Sequence, residues 1–230
     1  MLRAADYRAR AREALKGNWG LAVGTGFALE MTRIVIIYAF ILIMLLTGVV
    51  GFDEFGEVTM STSGEFIYIL AMILIVFVNL TLFTGYLYFN LNLAGGGEVR
   101  FDNIFARFNK ILKISGLYFM VELFTMLWWL LLVIPGIIAS FRYAMAPYII
   151  AENPEVGILE AITKSKEMMK GYKWKYFCLQ FSFFGWALLG VLTFGIGMLW
   201  ITPYMQTTNA AFYLEVSGHN VQYEYDLNDE

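Results

Sequence analysis

Residues 114–150 read ISGLYFMVELFTMLWWLLLVIPGIIASFRYAMAPYII, 37 positions interrupted by two charges, Glu122 and Arg142. As one helix this stretch would reach about 55 Å, well beyond a hydrocarbon core of about 30 Å. It must therefore fold back. Pro135-Gly136 is the expected hinge, because proline removes a backbone donor and glycine permits the reversal. The same argument divides residues 176–215 at Gly195-Ile196-Gly197. Upstream, Trp19 to Val50 and Phe66 to Leu91 are two further apolar runs, separated by a segment with Asp53, Glu54, Glu57 and Glu65 and no Lys or Arg. The expectation is six transmembrane helices in three hairpins.

Composition agrees. Of the 230 residues 59% are hydrophobic and 15% charged, with a mean hydropathy of +0.62, against about 45 to 50% apolar and about 25% charged in soluble domains. A water-soluble globule is excluded. The first apolar run is also longer than the 7 to 15 residue core of a secretory signal.

Charge position sets the threading. Fourteen of the 16 basic residues fall in three segments: the N-terminal arm, the loop from Arg100 to Lys113, and the loop from Lys164 to Lys175. Lys and Arg are retained on the cytoplasmic side, so both termini are expected there. A net charge of -3 argues against nucleic acid as a partner.

Each basic segment has helical periodicity. In the middle one Phe101, Ile104, Phe105, Phe108, Ile111 and Leu112 share a face. In the third Ile158, Leu159, Ile162, Ser165, Met168 and Met169 oppose Glu160, Lys164, Glu167 and Lys170. The first has a weaker stripe of Ala4, Tyr7, Ala11, Ala14 and Leu15, suited to docking on protein. The expected plan is all-α, a single membrane domain: an amphipathic helix at 1–18, a first hairpin at 19–94 with an outer loop at 51–65, an interfacial helix at 95–113, a second hairpin at 114–151, an interfacial helix at 152–175, a third hairpin at 176–215 and an acidic cytoplasmic tail at 216–230. Three such units are either an internal repeat or a common building plan.

The C-terminal half carries a resemblance. The run from Glu160-Ala161 to Ser165, then Met168-Met169-Lys170-Gly171, then LQFSFFGWALLGVLTFGIGMLWITPYMQTTNAAFY from Leu179 to Tyr213, strongly resembles the membrane-protein family known as domain of unknown function 975. IPGII, Arg142-Tyr143, Glu152-Asn153-Pro154 and Leu15-Lys16-Gly17-Asn18-Trp19 are similar to the same family, so the likeness extends over nearly the whole chain and is most specific from Phe181 to Tyr213. It implies a plasma-membrane protein of Gram-positive bacteria and supplies no reaction.

The candidate functional residues are the costly ones. A charge at the bilayer centre costs about 2.5 to 3.5 kcal/mol on insertion scales. Glu30 and Arg33, three apart, are placed to pair on one helix; Glu122 and Arg142 are placed to pair across the second hairpin. Asn79, Gln206 and Asn209 add polar atoms, and Pro203 should bend the last span beside them. These groups form either a polar, proton-responsive site or neutralised contacts that hold the bundle together.

Arg107, Lys110, Lys164, Lys170 and Lys173 are expected to meet anionic headgroups or a protein partner. Gly20 and Gly24 form a GxxxG pair, which leaves the oligomeric state open. No cofactor is implied. Cys178 stands alone in an apolar run and His219 in the tail, too few for a metal site, and Gly95-Gly96-Gly97 lacks the Lys-Ser/Thr of a phosphate loop. With no GxSxG, HExxH or paired-carboxylate motif, the expected function is non-enzymatic: binding or moving an amphipathic ligand such as a lipid or small peptide. The alternative is a scaffold or accessory subunit.

Overall fold

The computed structural model describes residues 3–218, so His219 and most of the acidic tail lie outside the described residues. The architecture is helical around two central rods. Helix α1 (Ala4–Leu15) leads into α2 (Trp19–Leu46). A short antiparallel ribbon, β1 (Val50–Phe52) and β2 (Val58–Met60), joins α2 to α3 (Thr62–Gly95). Then come α4 (Ile111–Leu131), α5 (Val133–Tyr143), α6 (Ala146–Glu152), α7 (Ile158–Met168), α8 (Lys173–Phe181), α9 (Phe184–Leu192) and α10 (Met198–Val216).

The rods are the C-terminal half of α3 and most of α10, buried on nearly every side: Leu82, Tyr86, Phe89 and Leu93 on one, Thr207, Ala210 and Phe212 on the other. They run side by side. Thr207 Oγ1 donates to Asn90 Oδ1 at 3.0 Å, and Leu214 reaches Gly95. Around them lie long faces of exposed Leu, Ile, Val and Phe on α2, the first half of α3, α4, α5 and α9, the surface a bilayer would cover.

Five segments are long and apolar enough to cross a membrane: Trp19–Leu46, Thr62–Gly95, Phe101–Leu131, Val133–Glu152 and Lys173–Leu192. The sixth expected crossing, α10, does not qualify. Thr202, Gln206, Thr207, Thr208 and Asn209 dilute its hydropathy, and most of it packs against protein.

Several boundaries differ from the sequence expectation. The outer loop at 51–65 holds the ribbon, turned by Asp53, whose carboxylate accepts from the backbone of Phe55 and Glu57 at 2.8 Å. Helix α3 starts inside that loop because Ser61 Oγ caps it, accepting from Gly64 N. The second hairpin turns at Leu132, in extended backbone (φ -166, ψ 156), and not at Pro135-Gly136. Proline occupies the first turn of α5, where its missing donor costs nothing. The returning limb breaks again before α6, whose first turn holds Pro147. The third hairpin does turn at Gly195, with φ +87, and Gly197 follows against Thr193.

The interfacial helices change most. Residues 95–113 form two 3-10 turns, Phe101–Phe105 and Phe108–Lys110, before α4 begins. The first lies so close to α3 that a Cβ on Gly85 would overlap the backbone of Ile104. Only Ile104 of the expected apolar face is fully buried there; Phe101 and Phe105 are exposed. In α7 the residues Ile162 and Ser165 are buried by α4, α5 and α6, so this amphipathic face meets protein.

Helix α1 docks likewise through Tyr7, Ala11 and Leu15, antiparallel along α10. Tyr7 Oη donates to Glu215 at 3.1 Å, Arg10 pairs with Glu215 at 3.1 Å, and Arg12 donates to Tyr204 Oη at 3.0 Å. Burial, then the Glu215 carboxylate, push the Tyr7 phenol up. The two ends of the described chain are thereby tied together.

Candidate functional site

Helix α4 presents Tyr118, Val121, Glu122, Thr125, Met126 and Trp129 along one face, at the spacing of successive helical turns. Opposite stand Ser140, Tyr143, Ala144 and Pro147 of the returning limb. Between them lies a cavity of about 450 Å³. Its walls are aromatic and aliphatic, and its polar groups are few: the Glu122 carboxylate, Thr125, Ser140 and the two tyrosines. Ser140 Oγ is already committed, donating to Gly136 O at 3.0 Å. Gly136 lets α5 approach α4, since a Cβ there would stand 2.5 Å from the Trp129 ring.

Glu122 and Arg142 are not brought within ion-pair distance. With the turn at Leu132 the two are ten positions to either side of it, so depth is no obstacle. The obstacle is direction. Ser140, Tyr143 and Pro147 face the cavity, and Arg142 falls off that stripe; its carbonyl accepts from Ser165 Oγ at 3.0 Å, which fixes α5 to α7. Among the described residues Glu122 has no ion-pair partner.

Glu30 and Arg33 do pair, at 2.9 Å, and the guanidinium lies 5.8 Å from the centre of the Phe83 ring. Glu30 also borders a smaller cavity of about 230 Å³ with Gly26, Phe27, Gly195, Met198, Leu199, Thr202 and Pro203. Pro203 is thus a cavity wall. Asn79 donates to Ile75 O at 2.9 Å within its own helix. Asn209 accepts from Gln180 at 2.7 Å, joining α10 to α8, and Gln206 is half-buried on α10. Interhelical bonds of this kind contribute about 0.6 kcal/mol each. The Asn90–Thr207 bond does the same between the two rods, and no sequence period signals it.

The basic residues of the connecting segments divide into two groups. Arg107 donates to the carbonyls of Ala151 at 2.8 Å and Glu152 at 3.4 Å and lies 4.0 Å from the centre of the Tyr88 ring. It caps the negative end of α6. Lys110 pairs with Glu155 and Lys164 with Glu160, each at 2.8 Å. The lysine hydrogen bonds hold both carboxyls below the usual range, with the Gly157 N–H assisting at Glu160. Since a lowered folded-state pKa adds stability above the unfolded value, these ties are complete at neutral pH and are lost on acidification through the lowered pKa. Lys170 and Lys173 have no ion-pair partner among the described residues.

No curated protein and no solved structure matches the chain. One family model does, over residues 113–220, a narrower extent than the likeness read from the sequence. It takes in almost all of α4, both walls of the Glu122 cavity, and everything through α10. Over residues 113–220 this chain matches the family described as protein of unknown function (DUF975).

Proposed function

We propose that this is a non-enzymatic multi-pass membrane protein that binds an amphipathic ligand, a lipid or small peptide, in the Glu122 cavity. The observation that carries the reading is the pairing of a large, mostly apolar cavity with one carboxylate that has no ion-pair partner among the described residues. Such a site favours a molecule with an apolar body and an ammonium or hydroxyl head, because binding pockets are largely apolar with a few groups that fix orientation.

The positive-inside bias supports cytoplasmic termini. The Arg10–Glu215 pair supports an even number of crossings, since both ends meet on one face. In the threading we favour, α2, α3, α4 and the α5–α6 limb cross, and the third hairpin enters and leaves on the cytoplasmic side. The family resemblance supports a plasma-membrane location. The scaffold alternative draws less support, because Arg107, Lys110 and Lys164 are engaged within the chain and Lys170 and Lys173 remain.

Replacing Glu122 by Gln should lower ligand retention in mild detergent about tenfold, the loss of one hydrogen bond to a charged group. Ser140→Trp, which fills the cavity, should abolish retention while the thermal unfolding midpoint stays within a few degrees. Retention equal to wild type in both variants would sink the assignment.

A further inference from the structure

The geometry points to a second site, independent of the Glu122 reading: a seat for an anionic membrane phospholipid where α1 meets α9 and α10. Arg12, Trp19, Trp186, Trp200, Ile201 and Tyr204 enclose a cavity of about 190 Å³. Its lining is almost wholly apolar, and the exposed Arg12 side chain stands at its edge. Trp186 and Trp200 are 41% and 51% exposed, so the cavity opens sideways to the surroundings of the bundle.

The Arg12–Tyr204 hydrogen bond at 3.0 Å holds the guanidinium beside the cavity and uses one of its five donors. Among the described residues no carboxylate pairs with Arg12. The remaining Arg12 donors carry a charge that a phosphate matches, since an arginine fork fits phosphate bidentately.

The depth is right for a headgroup. Trp and Tyr gather at the membrane–water boundary, and Glu13 and Lys16, beside Arg12 on α1, have side chains 54% and 77% exposed, which places water there. A quaternary ammonium alone would suit the tryptophans but is repelled by Arg12. A free phosphate would leave the apolar walls unused. A phospholipid satisfies both, with its phosphodiester on Arg12 and the start of an acyl chain along Trp186 and Trp200.

The test is tryptophan quenching in phosphatidylcholine vesicles that contain either brominated phosphatidylglycerol or brominated phosphatidylcholine. Wild-type protein should reach half-quenching at about fivefold lower mole fraction of the brominated anionic lipid, the ratio expected for one cation at a headgroup. In Arg12→Gln the two lipids should quench alike, and Arg12→Lys, which keeps the charge, should restore part of the preference. Equal quenching in wild type, or a preference that survives Arg12→Gln, overturns the proposal. So does equal loss in the Lys and Gln variants, which would mean packing and not charge. Inorganic phosphate at matched ionic strength should not relieve the quenching; relief would mean a phosphate site and contradict the lipid assignment.

Discussion

A cysteine placed at Phe194, in a chain whose Cys178 is replaced by Ser, should stay unlabelled by an impermeant maleimide added to the outside of intact cells. A cysteine at Phe55 should label fully. Phe194 is the most exposed residue of the third turn, 98% accessible, so burial in protein cannot shield it. Depth can. The turn residue Gly195 shares a cavity with Glu30, and from Glu30 helix α2 continues sixteen positions to Leu46, about 24 Å further, before the acidic ribbon begins.

At the opposite end, the charged and exposed Glu13 and Lys16 stand beside Arg12 on α1, which bonds Tyr204, so that end belongs at the water boundary. Tyr204 lies nine positions from Gly195, about 13 Å along a helix, less than half of a core about 30 Å thick. The turn's chemistry fits that depth. Val191, Leu192, Phe194 and Ile196 point outward, while its one polar side chain, Thr193, donates to Gly190 O and accepts from Gly197 N, both at 2.9 Å. Gly195 N reaches Gly190 O at 2.9 Å. Backbone groups in hydrocarbon must be satisfied in this way. Labelling at Phe194 equal to that at Phe55 would mean a full crossing and six spans.

The second large effect is at Gly85. Ala in place of Gly normally helps a helix by about 1 kcal/mol, yet Gly85→Ala should prevent recovery of folded, monodisperse protein. The added Cβ would fall on the backbone carbonyl of Ile104, which has no rotamer with which to move away. Overpacking usually costs about 1 to 3 kcal/mol; here the obstacle is main chain against the central rod, so the cost lies at or above the top of that range. Gly20→Ala is the control, because nothing stands within 4 Å of its Cβ position. If size-exclusion profiles of the two variants are alike, the 3-10 turn is not seated on α3 as described.

Much of the fold was legible because run length against bilayer thickness is a strong constraint. The break in the 37-residue run had to occur, although Pro135 marks the start of α5 and not the turn itself. Periodicity was legible as a face but not as a partner: the Ile162 and Ser165 stripe buries itself equally well on lipid or on α4 and α5, and only the tertiary fold decides. The Glu30–Arg33 pair is local and so could be read from spacing. The Glu122–Arg142 pair depended on rotation about α5, which a count of residues from the turn does not fix.

The Glu122 cavity was half visible, through Glu122 itself. Its other wall, from Ser140 to Pro147, depends on how closely Gly136 lets the limbs approach. Arg12 was read only as one basic residue of an amphipathic arm, because its aromatic neighbours come from α2, α9 and α10, up to 192 positions away. Arg107 resembled a headgroup contact for the same reason, its carbonyl partners lying 44 and 45 positions downstream.

The ligand assignment is tested most directly by native mass spectrometry of the protein taken from its own membrane in a mild detergent. A stoichiometric adduct of defined mass, depleted about tenfold in Glu122→Gln and absent in Ser140→Trp, is the predicted result. A bare chain in all three spectra, or an adduct held equally by all three, would contradict it.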